Sequence, residues 1–139
     1  MQETLQAADG HRLAAYRAAP SGKPRGALVV VQEIFGVNSH IRSIVDGYAA
    51  DGWMAIAPAM FDRVERGIEL GYAPADIERG RQLKGGCSND HALLDIAAAV
   101  ESVRSASTTV SGMLVSRSPK WASTGQRGVR STSSPMPPP

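Results

Sequence analysis

The stretch Val29-Val30-Val31-Gln32-Glu33-Ile34-Phe35-Gly36-Val37-Asn38 decides how the rest of the chain is read. Three β-branched residues in succession suit a strand buried on both faces, as in the interior of a parallel sheet. The strand runs straight into a carboxylate. An ionised carboxylate at a buried strand end is costly unless charged or hydrogen-bonded groups meet it. Open α/β sheets hold their ligands just outside the carboxyl ends of their strands, so Glu33 stands where such a sheet does its chemistry. The competing reading is a solvated carboxylate that opens a turn, and position alone leaves the two level.

Upstream, residues 4–8 and 11–18 flank Asp9-Gly10, a pair suited to the type I′ turn of a β-hairpin. A Pro/Gly-bearing loop, 20–24, then delivers the chain to a strand over 27–32. Downstream, Asn38 or Ser39 can N-cap a helix whose apolar positions Ile41, Ile44, Val45 and Tyr48 recur at helical spacing, with Gly52 closing it. Residues 53–57 form a second short buried strand that Pro58 stops. A loop-rich stretch over 59–73 leads to Pro74, which suits the first turn of a helix ended by Gly85-Gly86. Asp90 opens a further helix, with Leu93, Leu94, Ile96, Ala97, Val100 and Val103 on one side. A hairpin followed by strands alternating with helices predicts an α/β fold with a parallel sheet.

The chain has 139 residues, room for one domain. Its formal charge of +2 hides a division. Residues 1–104 carry eleven basic and thirteen acidic side chains, net −2, whereas 105–139 carry four basic and none acidic, net +4. The basic pI near 9.0 therefore belongs to the tail. Nucleic-acid binding would want basic residues clustered on a folded face with stacking aromatics, and residues 1–104 show neither. No run approaches the ~18 apolar residues of a membrane span, and Met1-Gln2-Glu3-Thr4 lacks the layout of a signal peptide. One cysteine, Cys87, allows no internal disulfide, so the cytoplasm is the expected compartment. Residues 105–139 hold nine Ser, four Thr and five Pro, a composition that buries little surface. The expectation is a domain over 1–104 and a disordered, low-complexity tail over 105–139, in which Val110 to Val115 could form at most a brief, uncovered strand.

The segment Gln32-Glu33-Ile34-Phe35-Gly36-Val37-Asn38 resembles the hallmark of the dienelactone hydrolases (carboxymethylenebutenolidases), a branch of the α/β-hydrolase fold. The likeness extends through the hairpin with Asp9-Gly10, the helix 41–51, the strand 53–57, Pro58-Ala59-Met60-Phe61-Asp62-Arg63, residues 71–81 and Asp95-Ile96-Ala97-Ala98-Ala99-Val100. It covers about residues 4–104. The resemblance implies hydrolysis of a small-molecule ester or lactone by a Cys-His-Asp triad. No cofactor or metal is expected, since His11, His40 and His91 are scattered without ligand spacing and no Gly-rich phosphate loop is present. The resemblance implies that Glu33 restrains the nucleophilic thiol, since a nearby carboxylate disfavours the thiolate. It also makes the Ile34 N–H one half of the oxyanion hole. An arginine, Arg81 or alternatively Arg79, would hold a substrate carboxylate.

The resemblance then breaks. After residue 104 the family pattern calls for a Val-rich strand and a G-x-C-x-G elbow, where this chain has Ser105-Ala106-Ser107-Thr108-Thr109-Val110-Ser111-Gly112-Met113. The nucleophile, Asp and His of the triad have no positions to occupy. Cys87 does not replace the nucleophile: no buried strand precedes it, and Asn89 stands where an elbow needs glycine. Cys87, His91 and Asp95 lie one helical step apart in turn, so their side chains run parallel rather than converging. The expectation is a truncated, catalytically incomplete chain with an out-of-frame tail. The alternative is a non-catalytic interaction fragment, self-associating through an open sheet edge.

Overall fold

The computed structural model describes residues 1–104 in full and Val110–Val115 as backbone. Its elements run β1 (Gln2–Gln6), β2 (Arg12–Ala18), β3 (Ala27–Val31), α1 (Ser39–Ala50), β4 (Met54–Pro58), a short 3-10 helix (Met60–Arg63), α2 (Pro74–Gly85), α3 (Asn89–Arg104) and β5 (Val110–Val115). The five strands form one sheet in the order β1-β2-β4-β3-β5. β1, β2 and β4 pair antiparallel in turn, while β4, β3 and β5 are parallel.

Alternation along the strands sends successive side chains to opposite faces. Val29 and Ile56 face one side, where they join Leu5, Leu13, Ala15 and Met54 beneath Ala99 and Val103 of α3. Val30, Ala55 and Ala57 face the other, against Ile41 and Val45 of α1. A helix on each face is what a run of three valines requires, because neither side of such a strand can meet water. A third cluster, Ile34, Phe35, Phe61 and Leu83, lies just past the carboxyl ends of β3 and β4, where α2 covers it.

Several expectations need correction. The hairpin turn is not type I′, which needs positive φ at both central residues. Gly10 N–H donates to Ala7 C=O at 2.9 Å, and among the described residues only glycines have positive φ, Gly10 at 89°. That is a type I turn followed by a glycine bulge. β4 runs through Pro58 rather than stopping before it, opposite Ala15 of β2.

α3 also turns differently from the expected stripe: Leu93 is 65% exposed, and the fully buried positions are Asp95, Ala99 and Val103. The cause is a charge partner, described below. Finally, Val110–Val115, expected as at most a brief strand, pairs along the whole length of β3. Composition undervalued the free edge of β3, whose backbone groups β5 satisfies. The rest of the expected tail lies outside the described residues.

Candidate active site

Beyond Val31 the chain makes a tight turn. Gly36 N–H reaches back to the Glu33 carbonyl at 3.4 Å, and Gly36 adopts φ +79°. A Cβ on Gly36 would stand 2.2 Å from the Ile68 carbonyl oxygen, so both backbone angle and space demand glycine. Residues 68–70 close over the turn, with Glu69 bridging Gly36 and Leu70 N–H donating to Phe35 C=O at 2.8 Å.

Asn38 joins the turn to the helix that follows. Its Oδ1 accepts from Ile41 N–H at 3.1 Å, making it the N-cap of α1, and its Nδ2 donates to Leu70 C=O at 3.0 Å. Between the alternatives Asn38 and Ser39, the structure selects Asn38. Tyr72 packs edge-on against Phe35, with ring centres 4.5 Å apart, and its hydroxyl lies 3.4 Å from Asn38 Nδ2.

Glu33 is only 8% exposed, so the solvated-loop reading is set aside. The next residue carries the point of chemical interest. Among the described residues the Ile34 N–H finds no acceptor. A buried turn with an unspent amide donor is costly to keep, and such groups gather at functional sites.

Two residues that the sequence reading passed over hold this turn. Gln32 is buried, and its Oε1 accepts from Met60 N–H at 2.8 Å while Nε2 donates to Glu33 C=O at 3.1 Å. Gly80, inside α2, lies against the turn so closely that a Cβ there would come within 2.1 Å of the Ile34 carbonyl oxygen. A glycine within a helix costs about 1 kcal/mol against alanine, and that cost was the available signal of a close approach.

The two arginine candidates separate. Arg79 pairs with Glu65 at 2.5 Å, whereas Arg81 is exposed and unpaired among the described residues. Cys87 is half-buried, its thiol donating to Leu83 C=O at 3.5 Å and weakly to Met60 C=O at 3.8 Å. Burial, and then the charge of Asp95, push its pKa up.

An ionic cluster runs from the exposed Asp9 through the part-buried Arg63 to the buried Asp95. Arg63 bonds Asp95 of α3 through Nε (3.0 Å) and Nη2 (2.8 Å), and Asp9 of the hairpin turn through Nη1 (2.8 Å) and Nη2 (3.1 Å). The guanidinium beside Asp9 holds that carboxyl down to about 2, and the two carboxylates push Arg63 up. Next to it, Asp62 is buried and accepts from Ala14 N–H at 2.8 Å. Among the described residues no group of three His, Cys, Asp or Glu side chains could hold a metal ion, and no helix is long and apolar enough to cross a membrane.

A sheet with a parallel centre, a helix on each face and an acid-bearing turn at the carboxyl end of β3 is the N-terminal part of an α/β-hydrolase fold. Solved structures agree. A Klebsiella pneumoniae protein provisionally titled a dienelactone hydrolase matches with a TM-score of 0.61 and 25% identity, over 83% of this chain and 49% of that one. A dienelactone hydrolase-like promiscuous phosphotriesterase from metagenomic libraries shares the fold, with a TM-score of 0.56 at 19% identity over 83% of this chain and 47% of that one.

The chain belongs to the dienelactone hydrolase family, whose sequence model matches residues 13–116. That span reaches past residue 104, where the sequence reading had ended the likeness, and takes in β5. A Synechocystis protein provisionally named a carboxymethylenebutenolidase is 48% identical over 73 residues, 52% of this chain and 30% of that protein. The carboxymethylenebutenolidase of Pseudomonas putida is 35% identical over 67 residues, 48% of this chain and 28% of its own length. The chain thus spans about half of its solved relatives, and the matched segments less than a third of its curated ones.

Proposed function

We propose that residues 32–38 form the oxyanion-hole half of a site that hydrolyses a small-molecule ester or lactone, and that Glu33 restrains the nucleophilic thiol of that site. The observation that carries this reading is the buried Glu33 followed at once by an Ile34 N–H with no acceptor among the described residues. When a thiolate adds to the acyl carbon, the carbonyl electron pair moves onto oxygen, and a fixed N–H stabilises that charge without reorganising. The alkoxide or enolate then leaves with a proton from a histidine, and water hydrolyses the thioester. Of the two arginines, Arg79 is engaged with Glu65, and Arg81, exposed and unpaired among the described residues, is the one free to meet a substrate carboxylate.

The thiol is not Cys87, the one cysteine of the sequence, which follows a helix end rather than a buried strand, has Asn89 where an elbow needs glycine, and turns its thiol to Leu83 C=O. The reading therefore treats these 139 residues as a truncated, catalytically incomplete form. The chain alone is expected to turn over 4-nitrophenyl acetate no faster than its Glu33→Ala, Cys87→Ala control. Joined after residue 115 to the C-terminal half of the Pseudomonas putida relative, it is expected to hydrolyse the ester. Glu33→Gln in that fusion should speed alkylation of the resting thiol, by lifting the carboxylate's penalty on the thiolate. Turnover by the chain alone, or an active fusion indifferent to Glu33, would overturn the reading.

One observation favours a second reading, a non-catalytic fragment. Among the described residues β5 is the outermost strand beside β3, and such an edge can pair with another strand. A concentration-dependent dimer in sedimentation would support it, and a monomer at all concentrations would remove it.

A further inference from the structure

Trans peptide units are planar, so the C=O of one residue and the N–H of the next point in opposite directions. Whatever fixes the Glu33 carbonyl therefore also fixes the direction of the Ile34 N–H. Two donors hold that carbonyl: Gln32 Nε2 at 3.1 Å and, more weakly, Gly36 N–H at 3.4 Å. The orientation of the Gln32 amide is dictated chemically. Met60 N–H can only donate, so Oε1 faces it at 2.8 Å, and Nε2 is left to face a carbonyl.

We propose that Gln32 is a positioning residue: by bridging Met60 N–H and Glu33 C=O it sets the plane of the Glu33–Ile34 peptide and aims the Ile34 N–H into the site. This deepens the hydrolase reading and rests on it for the meaning of that N–H. Both ends of the bridge matter. Met60 lies just past β4 and Glu33 just past β3, so the amide spans the point where the two parallel strands part. Gln32 is itself buried at 8% exposure, which excludes water as a ready substitute at either end. On the far side, Gly80 limits how far the Ile34 carbonyl can swing. The turn is thus gripped at two successive peptide units, by a side-chain amide and by a helix backbone.

The test uses the full chain, labelled with ¹⁵N and ¹³C. Gln32→Met keeps the length of the side chain and removes both hydrogen bonds. It should shift the Glu33 carbonyl carbon and the Ile34 amide resonances and speed exchange of the Met60 amide by about tenfold, while the Val45 amide in α1 stays put. Gln32→Glu separates the two bonds. Its ionised carboxylate still accepts from Met60 N–H but cannot donate to Glu33 C=O. When protonated it can do both, so the Glu33 and Ile34 signals should return towards the parent's as pH falls.

Glu33 and Ile34 signals that match the parent in both variants, with only Met60 changed, would overturn the proposal and leave Gln32 a strand staple. No hydrolysis is read, so this failure is distinct from that of the hydrolase reading. An inactive fusion would remove the role of the N–H and leave its aiming intact.

Discussion

The turn over residues 32–38 and the helix α3 differ in how much of their shape is local. The turn is shaped by its own neighbourhood, Gln32 to Glu33, Gly36 to Glu33 and Asn38 to Ile41, and is clamped from outside by Met60, Leu70 and Gly80. α3 is oriented from a distance, by Arg63, which lies 32 residues before Asp95 in the chain. A local pattern can announce the first kind of structure. It cannot announce the second, because the residue that decides it lies in another element.

The largest effects should come from breaking the long-range grip. Asp95 is 1% exposed, and Arg63→Met leaves its charge buried without its bidentate partner. Loss of one partner from such a pair costs about 3–5 kcal/mol, to be read as a fall in the urea midpoint. Asp95→Leu combined with Arg63→Met should recover much of that loss, since the uncompensated charge is gone. No recovery in the double variant would mean that Arg63 holds α3 chiefly through Asp9 or through packing.

Next in size is the grip of α2 on the turn. Gly80→Ala drives a methyl to within 2.1 Å of the Ile34 carbonyl oxygen, so α2 or the turn must shift. Overpacking of this kind costs about 1–3 kcal/mol, and the fluorescence or exchange behaviour of the 33–36 turn should change along with stability. A stable Gly80→Ala variant with an unmoved turn would show that the turn keeps its shape without α2.

Asn38→Ala removes the N-cap of α1 and the donor to Leu70 C=O, at a cost of about 1 kcal/mol. The effect should be confined to the first turn of α1 and residues 68–72 in amide exchange.

The smallest effect is a pH dependence. Asp9 has a folded pKa of about 2, below its ordinary 3.8, chiefly because it accepts hydrogen bonds from Arg63. A depressed carboxylate contributes stability above its unfolded pKa and loses it as pH falls through the folded value. Asp9→Asn should therefore flatten the acid limb of the stability curve between about pH 4 and 2, with little change at neutral pH beyond the lost ion pair.

These contrasts explain what the sequence made legible. Val29-Val30-Val31 announced a strand covered on both faces, and α1 and α3 cover it. The unusual carboxylate after it marked the turn, and the resemblance of residues 32–38 named the family correctly. The face of α3 was misread because an apolar count cannot see that Asp95 has a cation waiting at Arg63. At Val110–Val115 composition allowed a brief strand but could not say what it would pair with, because the free edge of β3 lies about 80 residues earlier in the chain. Gln32 and Gly80 escaped notice because their roles depend on Met60 and Ile34, in contacts that no spacing rule encodes.

The central claim is that the Ile34 N–H is the donor for an oxyanion, and proline at that position tests it most directly. In the fusion with the Pseudomonas putida C-terminal half, kcat for 4-nitrophenyl acetate would be measured for Ile34→Pro and Ile34→Val, with folding matched by circular dichroism. The account predicts a fall of about 10²–10³-fold for Ile34→Pro, with Ile34→Val close to the parent. A folded Ile34→Pro fusion within a few-fold of the parent would contradict it.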